Sequence, residues 1–193
     1  MSDDRAGVDR AERVEQRVRD RFPDVSFRRQ QGEAVRDLSL YVPAESLHDV
    51  AGFLRDDPEL DFAMLASITG VDYLPREPRF EVVYHLLSIT HNLRFVLKVQ
   101  IHEERPELDS VVDLWPTANW HEREAFDFYG IRFRGHPDLT RILLPDDWVG
   151  WPLRKDSPLG YQEVAFTHNT PNRTVPDPDL KVLGPKKVKY RAH

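Results

Sequence analysis

Carboxylates crowd one short segment of this chain: His121-Glu122-Arg123-Glu124, with Asp127 three residues on. Two carboxylates beside a histidine could act as general acid and base, or as ligands of a metal ion. The spacing speaks against both. The zinc signature His-Glu-x-x-His is not met, and His121 stands alone on its helix. On a helical wheel His121 and Glu124 lie near each other while Glu122 points elsewhere. Arg123 and Asp127 are four residues apart and are expected to pair. Glu122 and Glu124 are then expected to accept bonds from a partner's Arg, Lys or backbone N–H, because buried charges need such partners.

Two further clusters invite chemistry and read better as structure. In His136-Pro137-Asp138 the proline fixes φ after a glycine bend and Asp138 is expected to cap the next turn, which is a better account than half a catalytic dyad. Arg154-Lys155-Asp156 reads as an interfacial ion-pair cluster more readily than as a phosphate site. Nine glycines are scattered without a dinucleotide fingerprint or a P-loop, so direct binding of a nicotinamide cofactor is not expected. There is no cysteine, which excludes disulfides and thiolate-bound zinc or iron–sulfur clusters in this chain. No catalytic, cofactor-binding or metal-ligating residue is therefore assigned.

The elements that must position these residues follow from periodicity. Asn119 is placed as an N-cap with Glu122 at capping-box spacing, and Gly130 as the residue after the C-cap, so a helix is predicted over 120–129. Its aromatics, Trp120, Phe126, Phe128 and Tyr129, face every way. A helix apolar all round is buried all round, which places this one between its own domain and something else. Upstream, Val14, Val18 and Phe22 mark a helix over 11–22 that Pro23 stops. A hairpin is expected over 25–29 and 35–42, turning near Gln31-Gly32. Pro43 opens a second helix with Leu47, Val50, Ala51 and Leu54 on one stripe, closed by Pro58. Residues 61–71 read as a buried strand with Gly70 as a breaker. Residues 80–89 read as a strand covered on both faces, joined through Thr90-His91-Asn92 to a cleanly alternating strand over 93–101.

The remainder is different. From Pro145 on lie seven of the fifteen prolines, yet also Trp148, Trp151, Leu153, Leu159, Tyr161 and Phe166. A disordered linker would be poor in aromatics, so an extended arm whose apolar residues are buried by a partner is predicted. The formal net charge is -6, and five basic residues (Lys181, Lys186, Lys187, Lys189 and Arg191) sit in the last thirteen, leaving the rest at -11 with 22 basic against 33 acidic. That balance gives no general nucleic-acid footprint. No apolar run approaches a membrane span and no signal-peptide core is seen, so membrane association is expected only through another chain. The fold class is α+β: a small mixed β-sheet packed with helices, followed by a helix and a long extended C-terminal arm. The chain divides into an α/β domain over 1–116, a signature helix and turn over 117–145, and a partner-binding arm with a basic tail over 146–193.

One block is specific. Glu122-Arg123-Glu124-Ala125-Phe126-Asp127-Phe128-Tyr129-Gly130-Ile131 is followed by Gly135-His136-Pro137-Asp138-Leu139, then by Arg141-Ile142-Leu143-Leu144-Pro145 and Asp146-Asp147-Trp148. Gly150 and Pro152-Leu153-Arg154-Lys155-Asp156 complete it. This block resembles the signature of the thirty-kilodalton family, the C subunits of respiratory complex I (the proton-translocating NADH:quinone oxidoreductase). Looser similarity extends to Asp113-Leu114-Trp115-Pro116 and Phe80-Glu81-Val82-Val83-Tyr84. The resemblance implies a non-catalytic member of the peripheral arm, on the cytoplasmic side of the membrane. It would dock beside the forty-nine-kilodalton type of chain, the D subunit, whose cleft receives quinone, and near the iron–sulfur subunits. FMN, iron–sulfur clusters and quinone would all be held by those partners, and none by this chain. It implies an interface drawn from Glu122, Arg123, Glu124, Asp127 and Gly130, from His136, Pro137, Asp138 and Arg141, and from Trp148, Pro152, Leu153, Arg154, Lys155 and Asp156. Membrane-bound hydrogenases and formate hydrogenlyases carry a similar domain, often fused to a large subunit. The chain's ending soon after the arm favours complex I over these. A stand-alone hydrolase built on the Glu-rich helix is the remaining contrast, and the missing ligand spacing argues against it.

Overall fold

The structure, a computed structural model, describes residues 2–29 and 38–157, with side chains from residue 12 onward. The turn near Gln31-Gly32, the arm beyond residue 157 and the basic tail lie outside the described residues. The described elements are helix α1 (Ser2–Arg21), strands β1 (Arg28–Arg29) and β2 (Leu38–Tyr41), helix α2 (Leu47–Asp56), strands β3 (Met64–Asp72), β4 (Phe80–Ser88), β5 (Leu93–Ile101) and β6 (Glu107–Asp109), helix α3 (Ala118–Tyr129) and strand β7 (Arg132–Arg134). A short 3-10 turn, Ala44–Ser46, leads into α2.

The main sheet has the order β1-β2-β5-β4-β3. It is mixed: β2 runs parallel to β5, while β1–β2, β5–β4 and β4–β3 are antiparallel. Strands β6 and β7 form a separate parallel pair. The α+β expectation holds. Alternation in β5 buries Phe95, Leu97, Val99 and Ile101, which face the core with Phe80, Val82, Tyr84 and Leu86 of β4. The stripe Leu47, Val50, Ala51 and Leu54 of α2 and Val14 and Val18 of α1 close that core. Phe22 meets Phe53 edge-on, with ring centroids 5.7 Å apart. Trp115 is buried in the same core, its indole N–H donating to the carbonyl of Phe62 at 3.1 Å.

Two expectations are corrected. The third strand starts at Met64, because Asp61 takes a positive φ of 44° and turns the chain first. Gly70 does not break that strand. It pairs with Val82, and a Cβ there would stand 2.7 Å from the Tyr129 ring. The glycine is therefore what lets α3 lie close along β3.

Candidate interaction site

Helix α3 carries the carboxylates, and the fold spends Glu122 and Asp127 internally while Glu124 stays exposed. The helix begins at Ala118 with Thr117 at its N-cap, whose side chain makes no capping hydrogen bond. The expected Asn119–Glu122 capping box is thus absent. Glu122 instead turns inward, fully buried, and accepts from the Ser110 hydroxyl at 2.6 Å and the Val111 N–H at 2.8 Å. These bonds tie α3 to the segment after β6. Burial raises the Glu122 carboxyl to about 7, against the two hydrogen bonds that favour its charge, and nearby Asp113 adds to the rise. The hydroxyl of Tyr84, also buried, has no hydrogen-bond partner among the described residues, and burial with the Glu122 charge pushes it well above its ordinary range.

Asp127 does not pair with Arg123. Its Oδ2 accepts three backbone N–H groups, from Ile142 at 3.1 Å, Leu143 at 2.8 Å and Leu144 at 2.9 Å, and its Oδ1 accepts from Arg141 Nη1 at 2.8 Å. Burial pushes this carboxyl up, but the converging N–H groups and Arg141 outweigh it and hold it low. Arg123 donates instead to the carbonyls of Thr140 and Arg141, with its guanidinium 5.3 Å from the Trp120 ring. Local spacing favoured the i,i+4 pair, but a loop returning along the helix offers Asp127 four donors at once. His136 fastens the same loop: Nε2 donates to the carbonyl of Asn119 at 3.2 Å and Nδ1 accepts from the N–H of Asp138 at 3.0 Å. Asp138 contributes through its backbone carbonyl, which accepts from the N–H of Thr140. Pro137 and the Asp138 side chain are exposed.

The beginning of the arm is likewise folded onto its own domain. Gly130 ends α3 at φ 72°, and the Trp151 ring stands where its Cβ would be, at 2.5 Å. Trp151 also meets Phe126 edge-on at 5.2 Å. The N–H of Leu153 donates to the carbonyl of Phe128, and Arg154 Nε donates to the carbonyl of Tyr129 at 2.6 Å. Lys155 N–H donates to Asp72, and Asp156 pairs with Arg79. Pro152 is half-buried in this run. So Arg154, Lys155 and Asp156 have partners within the chain, and the arm expected to depend on another protein has structure of its own through residue 157.

Among the exposed charges Glu124, Asp138, Asp146 and Asp147, these fastenings also leave large apolar side chains outward. Trp120 is 60% exposed, Leu143 61%, Trp148 45%, Val149 58% and Leu153 49%. Arg123 joins Trp120 to the 140–141 turn, Asp127 holds the backbone of Leu143, and Arg141 donates to the carbonyls of Trp148 and Gly150. These side chains therefore stand on one framework. In the chain alone the outer face of α3, with Trp120 and Glu124, is open to solvent, the side on which the helix is expected to meet another protein. Sequence reasoning missed Trp120, Leu143 and Val149 as surface residues, and Ser110, Asp72 and Arg79 as their supports. Large apolar residues at positions without helical periodicity were the available signal for the first group. The supports gave none, since their partners lie far away in sequence. Among the described residues no group of three or more His, Asp or Glu side chains is placed to hold a metal ion.

The family described as respiratory-chain NADH dehydrogenase, 30 Kd subunit, matches residues 40–163, most of the chain and all of the α3-and-arm framework. The chain belongs to this family of respiratory-chain subunits. The NADH-quinone oxidoreductase C subunit of Roseiflexus sp. (strain RS-1) is 57% identical over 156 residues, 81% of this chain and 88% of that one. The protein of the same name from Herpetosiphon aurantiacus is 51% identical over 162 residues, 84% of this chain and 92% of that one. Among solved structures, a trypsin-resistant fragment (1-134) of Nqo5 is similar with a TM-score of 0.57 and 36% identity, covering 67% of this chain and 99% of the fragment. A chain of the membrane-bound sulfane sulfur reductase, an archaeal respiratory membrane complex, is similar with a TM-score of 0.62 and 25% identity, covering 77% of this chain and 85% of that one. No described helix of this family member is long and apolar enough to cross a membrane.

Proposed function

We propose that the chain is a cofactor-free, non-catalytic subunit of the peripheral arm of a proton-translocating NADH:quinone oxidoreductase. It supports electron transfer from NADH to quinone by docking on the D subunit, the chain of the forty-nine-kilodalton type, at the cytoplasmic side of the membrane. Flavin, iron–sulfur clusters and quinone are held by neighbouring chains. The observation that carries this reading is the set of exposed apolar side chains Trp120, Leu143, Trp148, Val149 and Leu153 on a frame whose buried carboxylates, Glu122 and Asp127, are already hydrogen-bonded within the fold. A carboxylate engaged as Glu122 or Asp127 is cannot meet a substrate, whereas exposed aromatic and aliphatic side chains on a fixed frame are what a protein interface desolvates. Family membership supports the identity of the complex.

Co-purification of the tagged chain with its cognate D subunit tests this, comparing the full chain with one truncated after Pro145. Stable binding lost on truncation is the expected result. A full-length chain that ignores that partner overturns the reading. The similarity to the sulfane sulfur reductase complex favours a second reading, an equivalent place in a related membrane-bound complex of the hydrogenase type. Co-purification with a hydrogenase-like large subunit and no NADH-oxidising subunits would favour it.

A further inference from the structure

Arg79 enters β4 between Pro78 and Phe80 with its side chain 1% exposed. It holds Asp72 on two bonds, Nε to Oδ1 at 3.0 Å and Nη2 to Oδ2 at 2.8 Å. It holds Asp156 on two more, Nη2 to Oδ1 at 2.7 Å and Nη1 to Oδ2 at 3.2 Å, and it also donates to Glu103. Asp72 is 2% exposed and also accepts from the backbone N–H of Leu74 and of Lys155, both at 2.9 Å or less. The guanidinium thus joins the end of β3, the loop after β5 and the start of the arm. A buried arginine needs compensating charge, but Asp72 and Glu103 already supply it. The third carboxylate, 77 residues away from Arg79 in sequence, is surplus to the charge balance and brings a surface segment with it. The rings of Phe80 and Trp151 lie under Arg154 at 5.0 and 5.9 Å, so the same segment is also packed.

We propose that Arg79 is a latch that closes the base of the C-terminal arm onto the α/β domain in the free chain, before any partner is met. The latch sets the path of residues 150–157 and so holds the exposed Leu153 in place on the framework that also carries Leu143 and Trp148. Preorganisation of this kind lowers the ordering cost of association. The role in presenting that side chain rests on the docking reading above; the latch itself does not.

The test is amide hydrogen exchange on the full-length chain alone, comparing wild type, Asp156→Asn and the exposed control Asp146→Asn. Asp156 is half exposed and its loss leaves Arg79 with Asp72 and Glu103, so the fold survives the substitution. The expected result is protection at the Leu153 and Lys155 amides in wild type and in the control, reduced about tenfold or more in Asp156→Asn, with the β4 and β5 amides unchanged. Equal protection in wild type and Asp156→Asn would overturn the proposal. So would a wild-type 151–157 segment that exchanges as fast as an unstructured peptide. Because no partner is present, a latched chain that fails to bind the D subunit would refute the docking and leave the latch standing.

Discussion

Replacing Glu122 by Gln should make the protein more stable at alkaline pH and leave it almost unchanged in acid. The carboxyl sits in the interior between α3 and the segment after β6, and burial raises it from 4.5 to about 7. An acid raised on folding contributes stability that is fully present below its unfolded value and is lost as pH rises through the folded one. At about 1.4 kcal/mol for each pH unit, the displacement from 4.5 to about 7 corresponds to about 3 kcal/mol lost once Glu122 is fully ionised. Glutamine keeps the shape and an oxygen for the Val111 N–H, and its amide can donate to the Ser110 hydroxyl, which already accepts from the Val112 N–H. It carries no charge to desolvate. Denaturant melts of both chains at about pH 5 and about pH 8.5 measure the difference. The expected outcome is that Glu122→Gln gains about 2.5 kcal/mol relative to wild type between the two, since at about pH 5 part of the loss has already occurred. A gap between the chains that does not change with pH would refute the reasoning, since it would mean that the carboxyl titrates no differently when folded.

The remaining predictions concern the frame. Gly130→Ala forces a side chain into a left-handed φ and against the Trp151 ring, and thermal melts should show a loss of about 2 kcal/mol or more. Asp127→Asn places an amide against Arg141 and the N–H groups of residues 142–144; equilibrium unfolding should show a loss of about 2–3 kcal/mol, with earlier proteolysis of the 140–150 loop than of the sheet. Asp72 behaves oppositely to Glu122. Burial pushes its carboxyl up, but Arg79 and the Leu74 and Lys155 N–H groups prevail and hold it at about 2. Its contribution is present above the ordinary carboxylate range and lost as pH falls towards about 2, so denaturant melts should show wild type more stable than Asp72→Asn near neutral pH and that gap narrowing as pH falls from about 3.8 towards about 2.

The parts of this fold that were legible in the sequence are those whose partners are near in sequence or repeat with a fixed period. The alternation of Phe95, Leu97, Val99 and Ile101 gave β5 its ends, and the stripe of Leu47, Val50, Ala51 and Leu54 gave α2. Gly130 at the end of α3 was readable because only a left-handed residue fits there. The polar assignments failed for the complementary reason. Glu122 stood at capping-box spacing and Arg123 at i,i+4 from Asp127, but each finds a stronger partner across a tertiary contact: Ser110 for Glu122, Arg141 and the 142–144 backbone for Asp127, the 140–141 carbonyls for Arg123. Arg79 gave no signal at all, because a lone arginine at a strand entry reads as solvated. The family block around residues 122–156 was recognisable without any of these contacts, and the contacts show what several of its residues do: they shape a surface.

The most direct test of that surface is to charge it without disturbing what holds it. Leu143→Asp with Trp148→Asp alters two exposed side chains and spares Glu122, Asp127, Arg141 and Arg79. The doubly substituted, tagged chain would replace the native one in its host, with two readouts: the amount of D subunit recovered with the tag, and NADH:quinone reductase activity of the membranes. The account predicts that both fall together, by about tenfold or more, while the purified chain melts as wild type does. Undiminished recovery and activity from a folded double variant would contradict it and move the interface to another face of the domain.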